Sequence, residues 1–420
     1  MNGFDGSEIK NAIEPVFDLI FITAAEPPSV AGLHASQVLE PAIFMAKCGH
    51  RVTWLAAVPL FSYLEDMVLF RGRIRSVQDR CAKEGIHFEF VVAPITIGGS
   101  LSFLFRHLTL RWAANRLVTL MRPQEGRRRV LHARSYYAAH LACEIKSIAK
   151  LEEAWRVSFD MRSVLPEEFP MAHGFLGKAR FGFAKQWEHE LLGKSDVSFL
   201  PLEYARERIS RESGCEVVFA PIQGFDRAPD WSVDFEQRWA NRYMGYAGSI
   251  STWHDPVILL EMLASIPGSH PRLAAPPHPL LEGLSCETYE HHEMAAYYDG
   301  LLGLVIPGRK DLEDYFISFK MRCNFFSTKA AEALSRGVPL VVSSKLTELA
   351  EFVRQHECGA VYDIDKRQIV FPEGNWLESK SEWLRLSENA TNVGEMFTRR
   401  RVMELYQSEW NSLFEVPSAN

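Results

Sequence analysis

The sequence has no Cys-x-x-Cys pair: its seven cysteines stand far apart, at positions 48, 81, 143, 215, 286, 323 and 358. An odd, scattered set does not make a disulfide framework, so free thiols in a reducing, cytoplasmic compartment are expected. There is no apolar run of the roughly 18 residues that a membrane-spanning helix needs; the stretch 16–22 already meets Asp18. The first residues lack a basic region leading into an apolar core, so no signal peptide is expected. Short-period repeats and low-complexity tracts are missing too, which excludes solenoid and collagen-like architectures. What is present is a chain of 420 residues, 47% hydrophobic and 24% charged. That balance excludes disorder and suits two or three globular domains.

The net charge of −7 hides an asymmetry. Residues 1–200 hold 24 Lys+Arg against 21 Asp+Glu, and the rest hold 22 against 32. Within the first part, residues 71–134 carry 13 basic side chains and four acidic ones, a local excess that asks for an anionic partner. Arginines at five-residue steps (Arg106, Arg111, Arg116) alternate with large apolar groups in 101–117, and Arg127, Arg128 and Arg129 follow. The pattern suits either an anionic membrane surface or an amphipathic helix packed on a sheet. Nucleic acid is not an expected partner, because no recognised module is present and the pI is about 6.1.

Short β-branched runs alternate with longer amphipathic stretches, as in parallel sheets wrapped by helices. Strands are expected at 16–23, 51–57, 86–92, 129–133, 154–159, 197–200 and 216–220, with helical stretches at 35–48, 101–121, 138–150 and 179–192. A Pro, Gly and Asp cluster at 221–230 breaks the pattern. A second alternation uses 243–248, 301–306, 338–342 and 360–362. The expected division is a first domain at 1–222, a linker at 223–242, a second domain at 243–375 and terminal helices at 376–420, whose return to the first domain is left open. Two doubly wound α/β halves of this kind would face a cleft between them.

The most informative string runs from Ser327 to Ser344, Ser-Thr-Lys-Ala-Ala-Glu-Ala-Leu-Ser-Arg-Gly-Val-Pro-Leu-Val-Val-Ser-Ser. Ser327 and Thr328 are expected to cap a helix that Gly337 ends before a buried strand. Amides at such a helix start bind phosphate, and Glu332, about one and a half turns in, can accept two hydroxyl hydrogen bonds from a ribose. A solvated glutamate on a routine helix is the alternative.

This string resembles the retaining GT-B glycosyltransferases of the large bacterial family (group 1, or family 4-like) that builds surface polysaccharides and glycolipids. There, a helix of the type E-A-x-A-x-G-x-P-V-V carries the glutamate that holds the donor ribose, and Glu332 matches it. Eight positions earlier the family has a glutamate that contacts the donor sugar; here that position is Asn324. Further landmarks are similar and in order. Pro27 to Gly32 resembles the glycine-containing loop over the donor phosphates, and Leu131 to Ser135 the His-bearing loop by the transferred sugar. Phe159 to Glu168 resembles a segment of the polysaccharide-extending subgroup. Ala220 to Asp226 resembles the interdomain signal, and Tyr246 to Ile250 the opening strand of the donor domain.

The resemblance implies an α/β, GT-B architecture of two Rossmann-like doubly wound domains facing an interdomain cleft. It implies a hexosyltransferase-type enzyme that moves a sugar from a nucleotide-sugar to a saccharide or lipid-linked acceptor with retention; the basic residues 101–129 leave open a peripheral place on the inner membrane face beside a purely cytoplasmic one. Catalytic positions would be His132, Glu26 and Asn324. Donor contacts would be Gly32, Gly248, Ser249, Ser327, Thr328, Lys329, Glu332 and Arg322, with Arg134, Asp160 and Arg162 at the acceptor or phosphates.

No cofactor and no metal is expected, since amides and cations can stabilise a departing diphosphate. The family's Arg and Lys after the donor domain's opening strand are replaced by Ser249 to Asp255. Substitute cations are Lys329, Lys320, Arg322 or Arg309, with Lys329 best placed in the first helical turn. His132, Arg134, Asp160 and Arg162 have structural readings as well, as core histidine or ion pairs. Asp226 is expected to fix a turn, and Trp253 to stack on a base or fill a floor. Two rival functions stay open: an epimerase or hydrolase of nucleotide-sugars on the same fold, and a non-catalytic binding subunit.

Overall fold

A computed structural model describes residues 17–65, 67–94, 105–121, 128–149, 155–228, 231–250, 254–323, 327–371, 376 and 378–415. The chain divides into two compact units: residues 1–200, 206–220 and 403–420 make the first, and 201–205 with 221–402 the second.

The first unit is built on a seven-stranded sheet of β1 (Asp18–Ala24), β2 (Arg51–Pro59), β3 (His87–Ala93), β4 (Arg129–Arg134), β5 (Trp155–Asp160), β6 (Val197–Leu200) and β7 (Val218–Phe219), in the order β3-β2-β1-β4-β5-β6-β7. Every neighbouring pair is parallel. Helices on both faces of such a sheet leave no strand face wet, and all seven residues of β1 are buried. The expected strands all form, with ends shifted by a few residues.

One helix differs more. It runs over Leu165–Lys194, far upstream of the expected start near residue 179, with Pro166 in its first turn and Pro170 inside it. Proline in the first turn removes an N–H that has no helical partner anyway. The first unit also takes the chain from Met403 onward. There Trp410 Nε1 donates to Ser158 Oγ on β5 at 3.0 Å, and Arg156 Nε donates to the Leu413 carbonyl.

The second unit repeats the plan with β8 (Tyr243–Ala247), β9 (His270–Ala274), β10 (Cys286–Glu287), β11 (Gly303–Ile306), β12 (Leu340–Ser343), β13 (Gly359–Asp363) and β14 (Gln368–Val370), in the order β10-β9-β8-β11-β12-β13-β14. Only the β13 and β14 pairing is antiparallel. Strands β8, β11, β12 and β13 match expectation, whereas β9, β10 and β14 do not stand out in the sequence. They are short or polar: β10 has two residues, and β9 carries His270, Pro271 and Arg272 among its five. The two parallel-dominated sheets with their helices are two Rossmann-like domains.

The seven cysteines are all free thiols. Among the described residues no helix is long and apolar enough to cross a membrane.

Candidate functional site

In a doubly wound sheet, ligands bind beyond the carboxyl ends of the strands where the order reverses. In the second unit that reversal lies between β8 and β11, and Gly248 is the first residue after β8. The helix Thr328–Ser335 belongs to the same unit. It ends as its glycine dictates. Gly337 has φ +65°, its N–H bonds the Leu334 carbonyl, and the N–H of Val338 bonds that of Ala333, the paired closure of a Schellman motif.

Its start departs from expectation. Ser327 occupies the N-cap position with extended backbone but makes no side-chain cap bond. Its Oγ is buried without a hydrogen-bond partner among the described residues. The amides of Ala330 and Ala331 already close on the Ser327 carbonyl, so only the amides ahead of them stand outside the helical ladder.

Glu332 is 8% exposed, so it is not a solvated helix-face glutamate. Helix periodicity turns its carboxylate inward with Ala330, Ala331, Ala333 and Leu334, which are buried beside it. There Tyr298 Oη donates to Glu332 Oε2 at 2.9 Å. Burial pushes the Glu332 pKa up to about 7, against the lowering effects of the Tyr298 bond and of Lys329 and Arg399.

Lys329 is not a freely solvated lysine either. Its Nζ lies 4.6 Å from the Tyr246 ring centroid and 3.4 Å from the ring nitrogens of His254. Burial brings it down to about 7, while Glu332 holds it up. His254 is held down to about 3, by burial first and by Lys329 second, so it stays neutral beside the ammonium. The lysine also explains Gly248. That residue has φ +106°, and a Cβ there would stand 3.2 Å from Lys329 Nζ. The structure therefore brings Gly248, Lys329 and Glu332 together and adds Tyr246, His254 and Tyr298. Tyr298 has no signal in the local sequence pattern, since it comes from a separate helix, Met294–Asp299. Ser249 is exposed after Gly248, and its carbonyl accepts from Tyr246 Oη.

In the first unit the order reverses between β1 and β4, and the side chains beyond those strands meet. Arg134 donates from Nη1 to Glu26 Oε2 at 2.8 Å and from Nε to Gln37 Oε1 at 2.9 Å. His34 Nε2 donates to the same Glu26 oxygen at 2.7 Å. Burial works against the Glu26 carboxylate, but the His34 hydrogen bond and the Arg134 charge outweigh it and bring its pKa down to about 2. Ala25 and Ser135, flanking this cluster, both have positive φ. Strain of that kind concentrates at functional sites. Gly32 is exposed with φ +60°, at the head of a helical run that passes through a π-helical turn, Ala35–Leu39, before Glu40–Lys47. Such π turns are frequent at functional positions.

His132 lies two residues inside β4 rather than at its end, and it is 2% exposed. Its ring packs edge-on against Phe21, Tyr406 and Trp410. Its Nδ1 is 3.0 Å from Ser158 Oγ and its Nε2 3.8 Å from Asp160 Oδ2. Trp410 can only donate to Ser158, which leaves that hydroxyl free to donate to Nδ1. Burial pulls His132 down to about 4, so it is neutral near pH 7. Asp160 is buried and takes Arg162 Nε on Oδ2 at 2.5 Å, the internal ion pair of the structural reading. Arg162 has φ +58°, and its two terminal nitrogens have no partner among the described residues.

Asn324 and Trp253 lie outside the described residues. Arg322 is exposed in the last turn of the helix Tyr315–Arg322. Asp226 Oδ1 accepts from the Arg400 amide at 2.8 Å, which ties the Pro, Gly and Asp cluster to the last helix. Asp363-Ile364-Asp365 is an Asp-x-Asp string at the end of β13, a pattern that elsewhere holds a metal. Asp363 Oδ1 accepts from the amides of Asp365 and Lys366, and Asp365 Oδ2 takes Lys345 Nζ at 2.7 Å. Those carboxylates shape the turn into β14 and are engaged by lysine and backbone.

A second metal-like group, His107, His140 and Glu144, has its ligand atoms within 4.8 Å of one another. Trp187 Nε1 donates to His140 Nδ1, which puts the proton of the neutral ring on Nε2, facing Glu144. A metal-binding histidine instead donates from its second nitrogen to an acceptor, so this arrangement does not fit a metal.

No family model and no curated protein matches the sequence. Solved structures do match along nearly the whole chain. Sucrose-phosphate synthase from Thermosynechococcus elongatus has a TM-score of 0.61 at 14% identity, covering 95% of this chain and 99% of that one. The catalytic domain of starch synthase IV from Arabidopsis thaliana, bound to ADP and acarbose, has 0.58 at 11%, covering 95% and 99%. A glycosyltransferase from Rickettsia africae has 0.57 at 9%, covering 96% and 100%. At these identities the likeness establishes the fold, which is GT-B.

Proposed function

We propose that this chain is a glycosyltransferase that transfers a hexose-type sugar from a nucleotide-sugar to a saccharide or lipid-linked acceptor. The observation that carries the reading is the pair Lys329 and Glu332 on one helix, both pushed by burial toward their neutral forms. Buried ionisable groups without compensating charge are costly, and a nucleotide diphosphate supplies both kinds of compensation. Its phosphates restore the Lys329 ammonium, and its ribose hydroxyls donate to the Glu332 carboxylate. Ser327 Oγ and the first helical amides complete the phosphate end. The starch synthase neighbour is bound to ADP, itself a nucleoside diphosphate.

The chemistry breaks the bond between the sugar's anomeric carbon and the phosphate oxygen and forms one to an acceptor hydroxyl oxygen. Growing charge on the leaving diphosphate is met by Lys329 and the helix start, with no metal assigned. The acceptor oxygen attacks on the face from which the diphosphate departs, which keeps the anomeric configuration, and its proton passes to that diphosphate. Glu26 and Arg134 orient acceptor hydroxyls, and Arg162 serves an acidic acceptor group. His132, shut into the core, positions Asp160 rather than touching substrate. Work on surface polysaccharide or glycolipid at the cytoplasmic membrane face, through residues 101–129, completes the proposal.

Thermal shifts against UDP-, GDP-, ADP-, dTDP- and CMP-linked sugars test it, because a ligand that binds only the native state raises Tm. One of them is expected to stabilise the wild-type chain, and Glu332→Ala is expected to lose that shift. A folded Glu332→Ala protein with an undiminished shift overturns the donor assignment.

A further inference from the structure

A helix of six residues does not hold together alone in water, so the helix Met294–Asp299 is placed by what its side chains grip. Tyr297 and Tyr298 are buried in the core of the second unit with Phe225, Leu301, Ala330 and Ala331. The Tyr297 hydroxyl donates to the Arg272 carbonyl on β9 at 2.8 Å, and the Tyr298 hydroxyl goes instead to Glu332 Oε2.

Asp299, the next residue, is clamped through both its side chain and its backbone. Its carboxylate takes Arg336 Nε at 2.8 Å and Arg336 Nη2 at 2.5 Å, the paired contact that a planar guanidinium makes with a carboxylate. Its carbonyl accepts from Arg238 Nε at 2.8 Å. Arg238 is 1% exposed, and its terminal nitrogens donate to the carbonyls of Arg336 and Gly337 at 2.9 and 3.0 Å. Those two residues close the helix Thr328–Ser335. The clamp therefore joins the carboxyl ends of two helices. Glu332 stands one turn before it on one helix, and Tyr298 one residue before it on the other. Breaking these bonds would leave a buried guanidinium short of partners, so the spacing of the two helices is well determined.

This spacing bears on the Glu332 carboxylate. A glutamate side chain has several rotatable bonds, and burial favours its neutral form. To receive two ribose hydroxyls it must be ionised, with free lone pairs facing the ligand. The Tyr298 hydroxyl serves both needs: it pins Oε2 and donates to the charged form, leaving Oε1 and one lone pair of Oε2 for a ligand. Burial holds the Tyr298 pKa well above its ordinary value, so the hydroxyl remains a donor throughout the neutral range. The charged groups acting on Glu332 are Lys329 from its own helix and Arg399 from the last helix.

We propose that Tyr298 is a positioning residue for donor recognition, which fixes the orientation of the Glu332 carboxylate, and that the Arg238–Asp299–Arg336 clamp fixes Tyr298. The proposal rests on the reading of Glu332 as the group that holds the ribose.

The test is Tyr298→Phe in the full chain, which keeps the ring and removes the hydroxyl. Two quantities are read: the Glu332 carboxyl titration in the free protein by carbon-detected NMR, and the affinities for UDP-, GDP-, ADP-, dTDP- and CMP-linked sugars by calorimetry between about pH 6 and about pH 9. The Glu332 titration is expected to move to higher pH, since the Tyr298 bond lowers its pKa. Affinity for the donor that wild type binds is expected to fall about tenfold near pH 7, the worth of one hydrogen bond to a charged group. The deficit narrows as pH rises and Glu332 ionises in both proteins. Asp299→Asn, which breaks the paired contact at the most exposed member of the clamp, is expected to act in the same direction by less. An unmoved titration, with affinity unchanged or lowered equally at every pH, overturns the positioning role and leaves the donor reading standing. If Tyr298→Phe does not fold, Asp299→Asn decides by the same criterion. A shift in Tyr298→Phe with none in Asp299→Asn overturns the clamp alone. A wild-type chain that binds none of these nucleotide-sugars overturns the reading of Glu332 and the role of Tyr298 with it.

Discussion

The two units carry polar clusters at equivalent places in equivalent sheets, and the clusters are in opposite electrostatic states. In the first unit, Glu26 is held charged by His34 and Arg134, and Arg134 is further tied by Gln37. Asp160 holds Arg162 in the same way. In the second unit, Lys329 and Glu332 are pushed toward neutrality, and among the described residues the Glu332 carboxylate takes its hydrogen bond from a tyrosine hydroxyl. Paired charges hold a shape and ask for little more. Desolvated charges with incomplete partners lower their energy when a ligand brings the missing ones. On the proposed function, the contrast suits donor recognition by the second unit and a preformed frame in the first.

The largest effect is expected from Glu332→Ala. Losing two hydroxyl hydrogen bonds to a carboxylate should weaken donor binding roughly 100-fold or more, given about 1.5–3 kcal/mol for each bond to a charged group. Calorimetric titration checks it. Lys329→Met should follow at about 10- to 100-fold, since it removes one charge-assisted contact to phosphate. If Arg134→Met weakens donor binding more than Lys329→Met does, the assignment of roles to the two units is reversed.

The pH dependence sharpens the same contrast. Above pH 7 the free protein's Lys329 is mostly neutral and must take up a proton as the diphosphate arrives. Below pH 7 Glu332 is mostly protonated and must release one as the ribose hydroxyls arrive. Donor affinity should therefore peak near pH 7 and fall on both sides. A flat profile between about pH 6 and pH 8 would contradict the coupling.

Smaller effects belong to the first unit and to the turn after β13. Arg134→Met should cost about 1 kcal/mol of stability, because Glu26 keeps access to water and one partner. It should also raise the Glu26 pKa, which carbon-detected NMR titration reads directly. Asp365→Asn should change stability by less than about 0.5 kcal/mol. A chelator should leave sugar transfer unaltered; loss of transfer in either experiment would give Asp363 and Asp365 a metal role.

Much of this was legible in the sequence, for identifiable reasons. The alternation of β-branched runs and amphipathic stretches announced both sheets, because parallel strands buried on two faces are continuously apolar. The helix of Glu332 was legible through its small residues and Gly337. The strands β9, β10 and β14 were hidden by shortness or polarity, and the upstream part of the long helix by its two prolines. Side-chain partnerships were least legible. Tyr298 reaches Glu332 across 34 positions and Gln37 reaches Arg134 across 97, and no local pattern records such meetings. His132 shows the same limit from the other side. Its place near a strand end suggested an exposed ring, while the aromatic side chains of Tyr406 and Trp410, far along the chain, close over it.

The most direct measurement is a crystal structure of the chain with the nucleotide-sugar that gives the largest thermal shift. The account predicts ribose hydroxyls on the Glu332 carboxylate, with the diphosphate against Lys329 Nζ and the first amides of the Thr328–Ser335 helix. A donor bound in full occupancy with Lys329 and Glu332 untouched would contradict it.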